Sequence, residues 1–559
     1  MTVVICTLNS KYIHCSPAPW YLLAGINEYC LPKISGVVVE GTINEQTDEV
    51  LTRIVNKKPD VVGFSCYIWN IEATLHLLKK LKSIIPNVIS VLGGPEVSYN
   101  AGQVLETEPS VDYIISGEGE KPFALFLNDI LIGKKPQDIP GLCFRDSGQI
   151  ALSKPHISCD QPPSPYTKEF FEALKGRIAY LETSRGCPYH CAYCLSGRCG
   201  SVRFFDIDCA KKELLLLANS GSKTIKLIDR TFNANSKRAN ELFLFIINNY
   251  GKTIPYKTRF HFEIAGDILD NQTLDILALA PLGAIQLEIG MQSFNADALN
   301  AVCRKTDFER LKINIKRLVE NANMHIHIDL IAGLPYEDYK SFEQSFNTAF
   351  ELRPNMLQLG FLKLLNGSAM RDQPDKYPCR FSSRPPYEVI ETPWMSTSDL
   401  QSLHRTEDAL QRLYNSGRFI RTIDYLLENI SCTPFELFKS FGEYFAQYGN
   451  KRISLDDYTA LVFECFSNQI NIDKTVLRDI MVCDRLSTNP SGHIPKALKI
   501  NNEIIDKKLR KLKRSNVKPG IKRGAAFLYS EKCAVYADYI NKNPVTGQYP
   551  LTKVKLLAD

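Results

Sequence analysis

Three cysteines in the stretch Leu181-Glu182-Thr183-Ser184-Arg185-Gly186-Cys187-Pro188-Tyr189-His190-Cys191-Ala192-Tyr193-Cys194 have a spacing that demands a chemical explanation. C-x3-C-x2-C puts three thiolates on one tight loop, enough for three corners of a [4Fe–4S] cubane, and leaves the fourth iron open to an outside ligand. Zinc is the alternative for such thiols. Structural zinc takes four ligands, however, usually paired across two separated knuckles, and no second C-x2-C follows. The chain holds seventeen cysteines, spread without the density of a disulfide scaffold, so the rest read as free thiols of a reducing compartment. Cys199, shortly after Cys194, is the neighbour most easily mistaken for a ligand.

Further polar residues fall at the ends of apolar runs downstream. Asp229 closes one (LIDRTF), Glu263 ends the next (FHFEIAGD), Gln292 and Ser293 follow a third (LEIGMQSF), and Asp329 with Gly333-Leu334-Pro335 marks a fourth (HIDLIAGLP). Any one of them alone reads equally well as a helix cap or a buried polar group. Recurring at the C-terminal ends of successive strands, they read as a site.

The elements that must position these residues form two alternating series. In the first, 3–8, 36–40, 60–65, 88–92 and 111–116 read as strands, with helical patterns near 17–29, 45–56, 71–85 and 103–108. Near-continuous apolar strands separated by helices predict a parallel sheet covered on both faces. Its strand ends carry Ser65-Cys66-Tyr67, Gly93-Gly94-Pro95-Glu96 and Gly117-Glu118-Gly119-Glu120, where open α/β sheets bind ligands. In the second series, 177–184, 224–229, 259–264, 284–291, 325–332 and 356–364 read as six strands, with helices near 210–219, 238–249, 311–321 and 342–352. Six βα units are too few for a closed eight-unit barrel, so a partial (β/α)6 barrel is expected. The fold class is therefore α/β. A doubly wound domain covers 1–158, a linker opening on the proline-rich CDQPPSP covers 159–175, the partial barrel covers 176–371, and a mainly helical domain covers 372–559.

Composition sets broad limits. With 44% hydrophobic and 23% charged residues the chain is globular, and a net charge of +6, from 67 basic and 61 acidic residues, does not by itself point to nucleic acid or membrane. The basic segment 496–523 is the local exception, with eleven Lys or Arg; it reads first as a solvated helix and loop, and second as a surface for RNA or an acidic partner. The first fifteen residues lack a basic n-region, and no stretch reaches the roughly 18 apolar residues of a membrane span, so a cytoplasmic protein without a membrane partner is expected.

The cysteine loop, with Tyr193 just before its last cysteine, resembles the radical S-adenosylmethionine (SAM) superfamily. The resemblance implies that the methionine end of SAM occupies the open iron, that electron transfer generates a 5′-deoxyadenosyl radical, and that Tyr193, Asp229, Glu263, Gln292 and Asp329 bind SAM. The QSF and DLI-GLP segments look like the subgroup shared with the oxygen-independent coproporphyrinogen oxidases. The runs 61–65, 91–97 and 114–120 resemble the cobalamin-binding domain that precedes the barrel in one large radical enzyme group. That resemblance implies cobalamin contacts from Ser65, Tyr67, Trp69, Gly93, Gly94, Glu96, Gly117, Glu118 and Gly119. A Rossmann nucleotide domain is the alternative, but no G-x-G-x-x-G follows the first strand.

One departure matters. The D-x-H-x-x-G loop through which many cobalamin domains ligate cobalt is absent, and the first strand runs instead into Asn9-Ser10-Lys11-Tyr12-Ile13-His14. His14 is then either a cobalt ligand or an ordinary hydrogen-bonded histidine, with Tyr67 or Trp69 covering the lower face. The C-terminal portion, with Pro386-Tyr387-Glu388-Val389 and Asn415-Ser416-Gly417-Arg418-Phe419, looks like an uncharacterised domain appended to such enzymes.

The resemblances together imply a cobalamin-dependent radical SAM enzyme that methylates an unactivated carbon, or occasionally phosphorus, of a small-molecule, peptide or natural-product substrate. Its electron donor would be a flavodoxin or ferredoxin. Two other outcomes stay open: a cobalamin-dependent cyclase, oxygenase or rearrangement enzyme, and a non-catalytic cobalamin or redox sensor. A tRNA methylthiotransferase fits less well, because Cys6, Cys15, Cys30 and Cys66 do not form that group's N-terminal cluster pattern.

Overall fold

The computed structural model describes residues 1–449, 452–514 and 521–556. The chain divides into two compact units. The first holds Met1–Ile264, Val302–Arg304 and Leu362–Ile390; the second holds Ala265–Ala301, Lys305–Phe361 and Glu391–Asp559. The division falls inside the barrel series, after its third strand.

In the first unit β1 (Thr2–Asn9), β2 (Ser35–Thr42), β3 (Val61–Ser65), β4 (Ile89–Gly93) and β5 (Tyr113–Ile115) pair in the parallel order β2-β1-β3-β4-β5. β1 and β3 are buried almost throughout, which explains their unbroken apolar runs. This is the doubly wound order whose switch point lies between β1 and β3, and a ligand crevice is expected beyond the C-terminal strand ends there. The sequence reading ends the series at residue 116. The chain adds the helix Glu120–Leu131 and an antiparallel hairpin, β6 (Leu142–Asp146) and β7 (Gln149–Ala151), which extends the sheet past β5.

Residues 159–175 are more than a linker. Thr167 caps the helix Lys168–Leu174, whose Phe170 is buried edge-on against Trp20 at 5.6 Å. The segment 177–184, read as one strand, is two. β8 (Ala179–Leu181) joins the parallel barrel strands, and β9 (Ser184–Arg185) turns away to pair antiparallel with β10 (Arg203–Phe204). The cause is a distant side chain: the buried Asp229 carboxylate takes up the polar groups of Thr183 and Ser184 and diverts the chain between β8 and β9. β11 (Thr224–Leu227) lies between β8 and β12 (Arg259–Ile264), all parallel.

The second unit begins with the other three barrel strands, β13 (Ile285–Gln292), β14 (His325–Ala332) and β15 (Met356–Phe361), also parallel. On β13 buried Ile285, Leu287, Ile289 and Met291 alternate with half-buried Gln286, Glu288, Gly290 and Gln292, so one face is apolar and the other polar. Past residue 391 the chain is mainly helical, as expected. Helices span Thr397–Leu410, Ile420–Asn429, Pro434–Ala446, Leu455–Ser467 and Lys474–Thr488, and a three-stranded antiparallel sheet follows, Arg523–Leu528, Cys533–Asp538 and Thr552–Val554. Within the basic segment 496–523 the helix Glu503–Arg514 has no buried residue; positions 515–520 lie outside the described residues. Among the described residues, no helix is long and apolar enough to cross a membrane.

Candidate active site

The cluster loop is held from three directions. At its entry, Asp229 just past β11 accepts from the Thr183 amide at 3.1 Å, the Thr183 hydroxyl at 2.7 Å and the Ser184 hydroxyl at 2.5 Å. Burial pushes the Asp229 carboxyl above its ordinary value, and the three donors oppose that rise. Gly186 then turns at φ +97, where a Cβ would stand 2.9 Å from the Ser201 carbonyl, so the tight approach requires glycine. Deeper in, the Ala192 amide donates to Val302 O at 2.9 Å and accepts at its own carbonyl from Met370 N at 3.0 Å.

Cys187 and Cys191 are buried and Cys194 is half-buried; all three are free thiols. Cys187 Sγ lies 3.3 Å from Thr231 Oγ1. Arg304 Nη1 donates to Cys191 Sγ at 3.7 Å, and its guanidinium sits 5.3 Å over the Tyr189 ring. Burial raises the Cys191 pKa while Arg304 pulls it back toward the thiolate. Tyr193 is half-buried beside them, its phenol raised by burial and by Cys191. His190, exposed, turns its Nδ1 to Gly197 O at 2.9 Å within the loop's own backbone, and so does not join the thiols as a fourth zinc ligand would. Three soft thiols on one loop, with a guanidinium beside Cys191, fit a cubane with three protein ligands. The side chain of Cys199 lies outside the described ones. Arg304 is the residue that sequence reasoning missed. It stands 113 positions from Cys191, and nothing in the local sequence CRK marks it.

A pocket of about 280 Å³ opens within the first unit, beyond the C-terminal ends of β3, β4 and β5. Ser65, Tyr67, Gly93 and Gly94 form part of its wall, and Gly117, Glu118 and Gly119 another part. Gly94 and Gly117, at φ +103 and +89, turn the chain where a side chain would strike the neighbouring backbone. The same pocket is walled by Glu182, Arg185 and Ile228, from the approach to the cluster loop and the end of β11. Arg185 donates to Glu118 at 3.0 Å, to Glu120 at 2.5 Å and to Glu182 at 2.9 Å, and Arg203 also pairs with Glu118. Burial pushes the Glu120 carboxyl up, but Arg185 outweighs it and holds the group below its ordinary value; Glu182, beside the same guanidinium, stays raised by burial. A largely apolar crevice with glycine-rich strand ends and a charged rim fits a large planar ligand such as a corrin.

Two of the expected cobalamin contacts stand outside that wall. Trp69 stacks on Tyr67 with ring centres 4.5 Å apart and planes 4° from parallel, and donates to Leu8 O at 3.3 Å. Glu96 is buried and accepts from Tyr387 Oη and from Asn366 Nδ2. His14 places its Nδ1 2.6 Å from Tyr180 Oη, and burial lowers its pKa.

Of the expected SAM contacts, Glu263 is the penultimate residue of β12, with Arg230 at 3.8 Å. In the second unit a bulge between Gly290 and Gln292 leaves Gln292 at φ +73, in the left-handed region. Ser293 is buried and donates to Glu337 Oε1 at 2.5 Å; Ser345 donates to the same oxygen at 3.0 Å, and the Asn295 amide donates to Ser293 Oγ at 2.8 Å. Asp329 faces His327 Nε2 at 3.0 Å, with Glu288 3.7 Å from the other ring nitrogen.

Comparison with known proteins agrees with this layout. Residues 34–127 match the B12 binding domain, 181–349 the radical SAM superfamily, and 375–525 a protein family of unknown function, DUF4080. The chain is similar to the 2-(S-pantetheinyl)-carbapenam-3-carboxylate methyltransferase of Streptantibioticus cattleyicolor, 26% identical over 52% of this chain and 45% of that protein. It is similar to the cobalamin-dependent radical SAM methyltransferase TokK of Streptomyces tokunonensis, 27% identical over 53% and 45%. The chain thus spans about half the length of these relatives. Among solved structures, the fold matches the cobalamin-dependent SAM radical enzyme OxsB with aqua-cobalamin and SAM bound, at a TM-score of 0.59, 16% identity, and coverage of 86% of this chain and 78% of that one.

Proposed function

We propose that this chain, which carries a B12-binding domain ahead of a radical SAM domain, is a cobalamin-dependent radical SAM methyltransferase acting on an unactivated carbon of a small-molecule or peptide substrate. One observation carries the reading: the glycine-rich strand ends of the first domain and the approach to the cysteine loop wall a single pocket. A ligand in that crevice touches residues whose backbone continues into Cys187.

When bound, the cluster and SAM supply hydrogen-atom abstraction, and cobalamin supplies a transferable methyl group. The chain's own residues bind, orient and shield. Cys187, Cys191 and Cys194 would hold three irons, and Arg304 beside Cys191 opposes the burial that raises its thiol. Asp229 fixes the Thr183-Ser184 entry, so its contribution to SAM binding passes through the loop. Tyr193, Glu263, Gln292 and Asp329 are the proposed direct SAM contacts. Arg185 pairs with Glu118, Glu120 and Glu182 and so joins the cobalamin loop to the strand that leads into the cysteines. Tyr67, in the pocket wall and backed by Trp69, would present an aromatic ring to the cobalamin.

The test is an anaerobic incubation of the reconstituted protein with methyl-labelled SAM, a flavodoxin or ferredoxin donor and candidate extracts, followed by mass analysis. Methyl transfer gives labelled product, S-adenosylhomocysteine and 5′-deoxyadenosine together. 5′-Deoxyadenosine alone would replace the reading by a cyclase, oxygenase or rearrangement enzyme. None of the three would leave a sensor.

A further inference from the structure

The segment Leu362–Ile390 belongs to the first unit, although in sequence it follows the last barrel strand. It folds back on itself: Leu364 N donates to Tyr387 O at 3.0 Å, Val389 N to Leu362 O at 2.9 Å, and the Arg371 guanidinium lies 4.4 Å over the Tyr387 ring while donating to Leu364 O at 2.7 Å. The resulting closed strap touches both the cysteine loop and the segment that follows β4. On one side Met370 N donates to Ala192 O, between Cys191 and Tyr193, at 3.0 Å, and Asp372 pairs with Arg198. On the other, Tyr387 Oη and Asn366 Nδ2 both donate to Glu96 Oε1, and Gly367 lies so close to the Tyr99 ring that a Cβ there would meet Tyr99 Cγ at 2.1 Å.

Two features mark the Glu96–Tyr387 contact as more than incidental packing. Glu96 is 5% exposed, and a buried carboxylate is tolerated only where donors satisfy it; here both come from the strap. Tyr387 sits at φ +57, a conformation unfavourable for a residue with a Cβ, which persists only where its surroundings fix it. Between the two, the strap fixes the turn whose Gly93 and Gly94 wall the pocket.

We infer that Glu96 and Tyr387 are positioning residues: through them the strap, whose second half opens the region matching the family of unknown function, holds the Gly93-Gly94 turn and the cysteine loop in one arrangement. The inference rests on the cobalamin reading for what the turn would bind, and on the structure alone for what holds the turn. Glu96 thereby acts on the ligand through the backbone it anchors, with its own carboxylate engaged elsewhere.

The experiment has two arms on the full chain, with Tyr387→Phe, Glu96→Leu and the double variant. In cofactor-free protein, amide deuterium exchange over 93–98 should rise about tenfold in Tyr387→Phe, the size expected for one lost buried hydrogen bond, while exchange in the helix Glu120–Leu131 stays unchanged. Unchanged exchange at 93–98, or acceleration spread evenly over the unit, overturns the inference. In the second arm, cobalamin affinity should fall about tenfold in each single variant and no further in the double, because both remove one contact. Affinities within twofold of the parent also overturn it. A parent chain that binds no cobalamin while Tyr387→Phe still frees 93–98 sinks the cobalamin reading and leaves the positioning role standing.

Discussion

Arg304 Nη1 lies 3.7 Å from Cys191 Sγ, although the two residues are 113 positions apart. The guanidinium is always charged, so it stabilises electron density on the sulfur whatever the pH. A positive charge beside an iron–sulfur centre favours the reduced state. Arg304→Met should therefore keep about four irons per chain yet move the midpoint potential of the cluster to more negative values, about 59 mV for each tenfold loss in the one-electron equilibrium. Arg304→Lys, which keeps the charge but loses the planar fork, should fall between. An anaerobic redox titration followed by electron paramagnetic resonance makes the measurement; a potential unmoved in Arg304→Met would confine the residue to packing on Tyr189.

The thiols themselves are tested by iron content. Replacing Cys187, Cys191 and Cys194 together by Ala should abolish the broad visible thiolate-to-iron absorption and all cleavage of SAM, whereas Cys199→Ala should leave iron and sulfide unchanged. Retention of a full cluster by the triple variant would hand the site to other cysteines.

Glu337 gives the second unit a pH dependence of its own. It is fully buried, and burial raises its carboxyl from 4.5 to about 7 against the opposing hydrogen bonds of Ser293 and Ser345. A raised folded-state value means that the protonated form favours folding. That contribution is complete below about 4.5 and is lost as pH climbs through about 7. Relative to Glu337→Gln, which stays neutral at every pH, the parent should lose on the order of 1 to 3 kcal/mol of stability between pH 5 and 8. Parallel melting curves across that range for the two proteins would dismiss the effect.

How far the sequence spoke for itself depended on the range of the interactions. The candidate cluster loop of Cys187, Cys191 and Cys194 was readable because the pattern is written in two adjacent spacings. The strands of both series were readable because burial on both faces forces apolar runs. The break between β8 and β9 was not, because it is made by Asp229, whose effect on Thr183 and Ser184 acts across 46 and 45 positions. Glu96 illustrates the same limit. It follows Gly94-Pro95 in a ligand-facing loop, yet its carboxylate is engaged by Tyr387, 291 positions away, where no local pattern could reveal it.

His14 decides the remaining question about the cobalt site. Its Nδ1 is 2.6 Å from Tyr180 Oη, it stands outside the pocket wall, and the D-x-H-x-x-G loop is missing from the sequence. Burial, with Lys226 and Lys11 nearby, lowers its pKa, so the ring is neutral at pH 7 and chemically able to ligate a metal; what withholds it is position. Tyr67, by contrast, lies in the wall and is backed by Trp69. We therefore expect cobalamin to bind with its dimethylbenzimidazole base off cobalt and no histidine in its place. In the Co(II) state the electron paramagnetic resonance spectrum should lack nitrogen superhyperfine splitting, and His14→Ala should change neither the spectrum nor the affinity. Tyr180→Phe, which frees the His14 ring from its partner, is the stricter probe. If splitting is absent from the parent but present in Tyr180→Phe, the hydrogen bond keeps a competent ligand away. A resolved nitrogen triplet in the parent that disappears in His14→Ala would make His14 the axial ligand and require the 10–16 loop to move toward the pocket on binding.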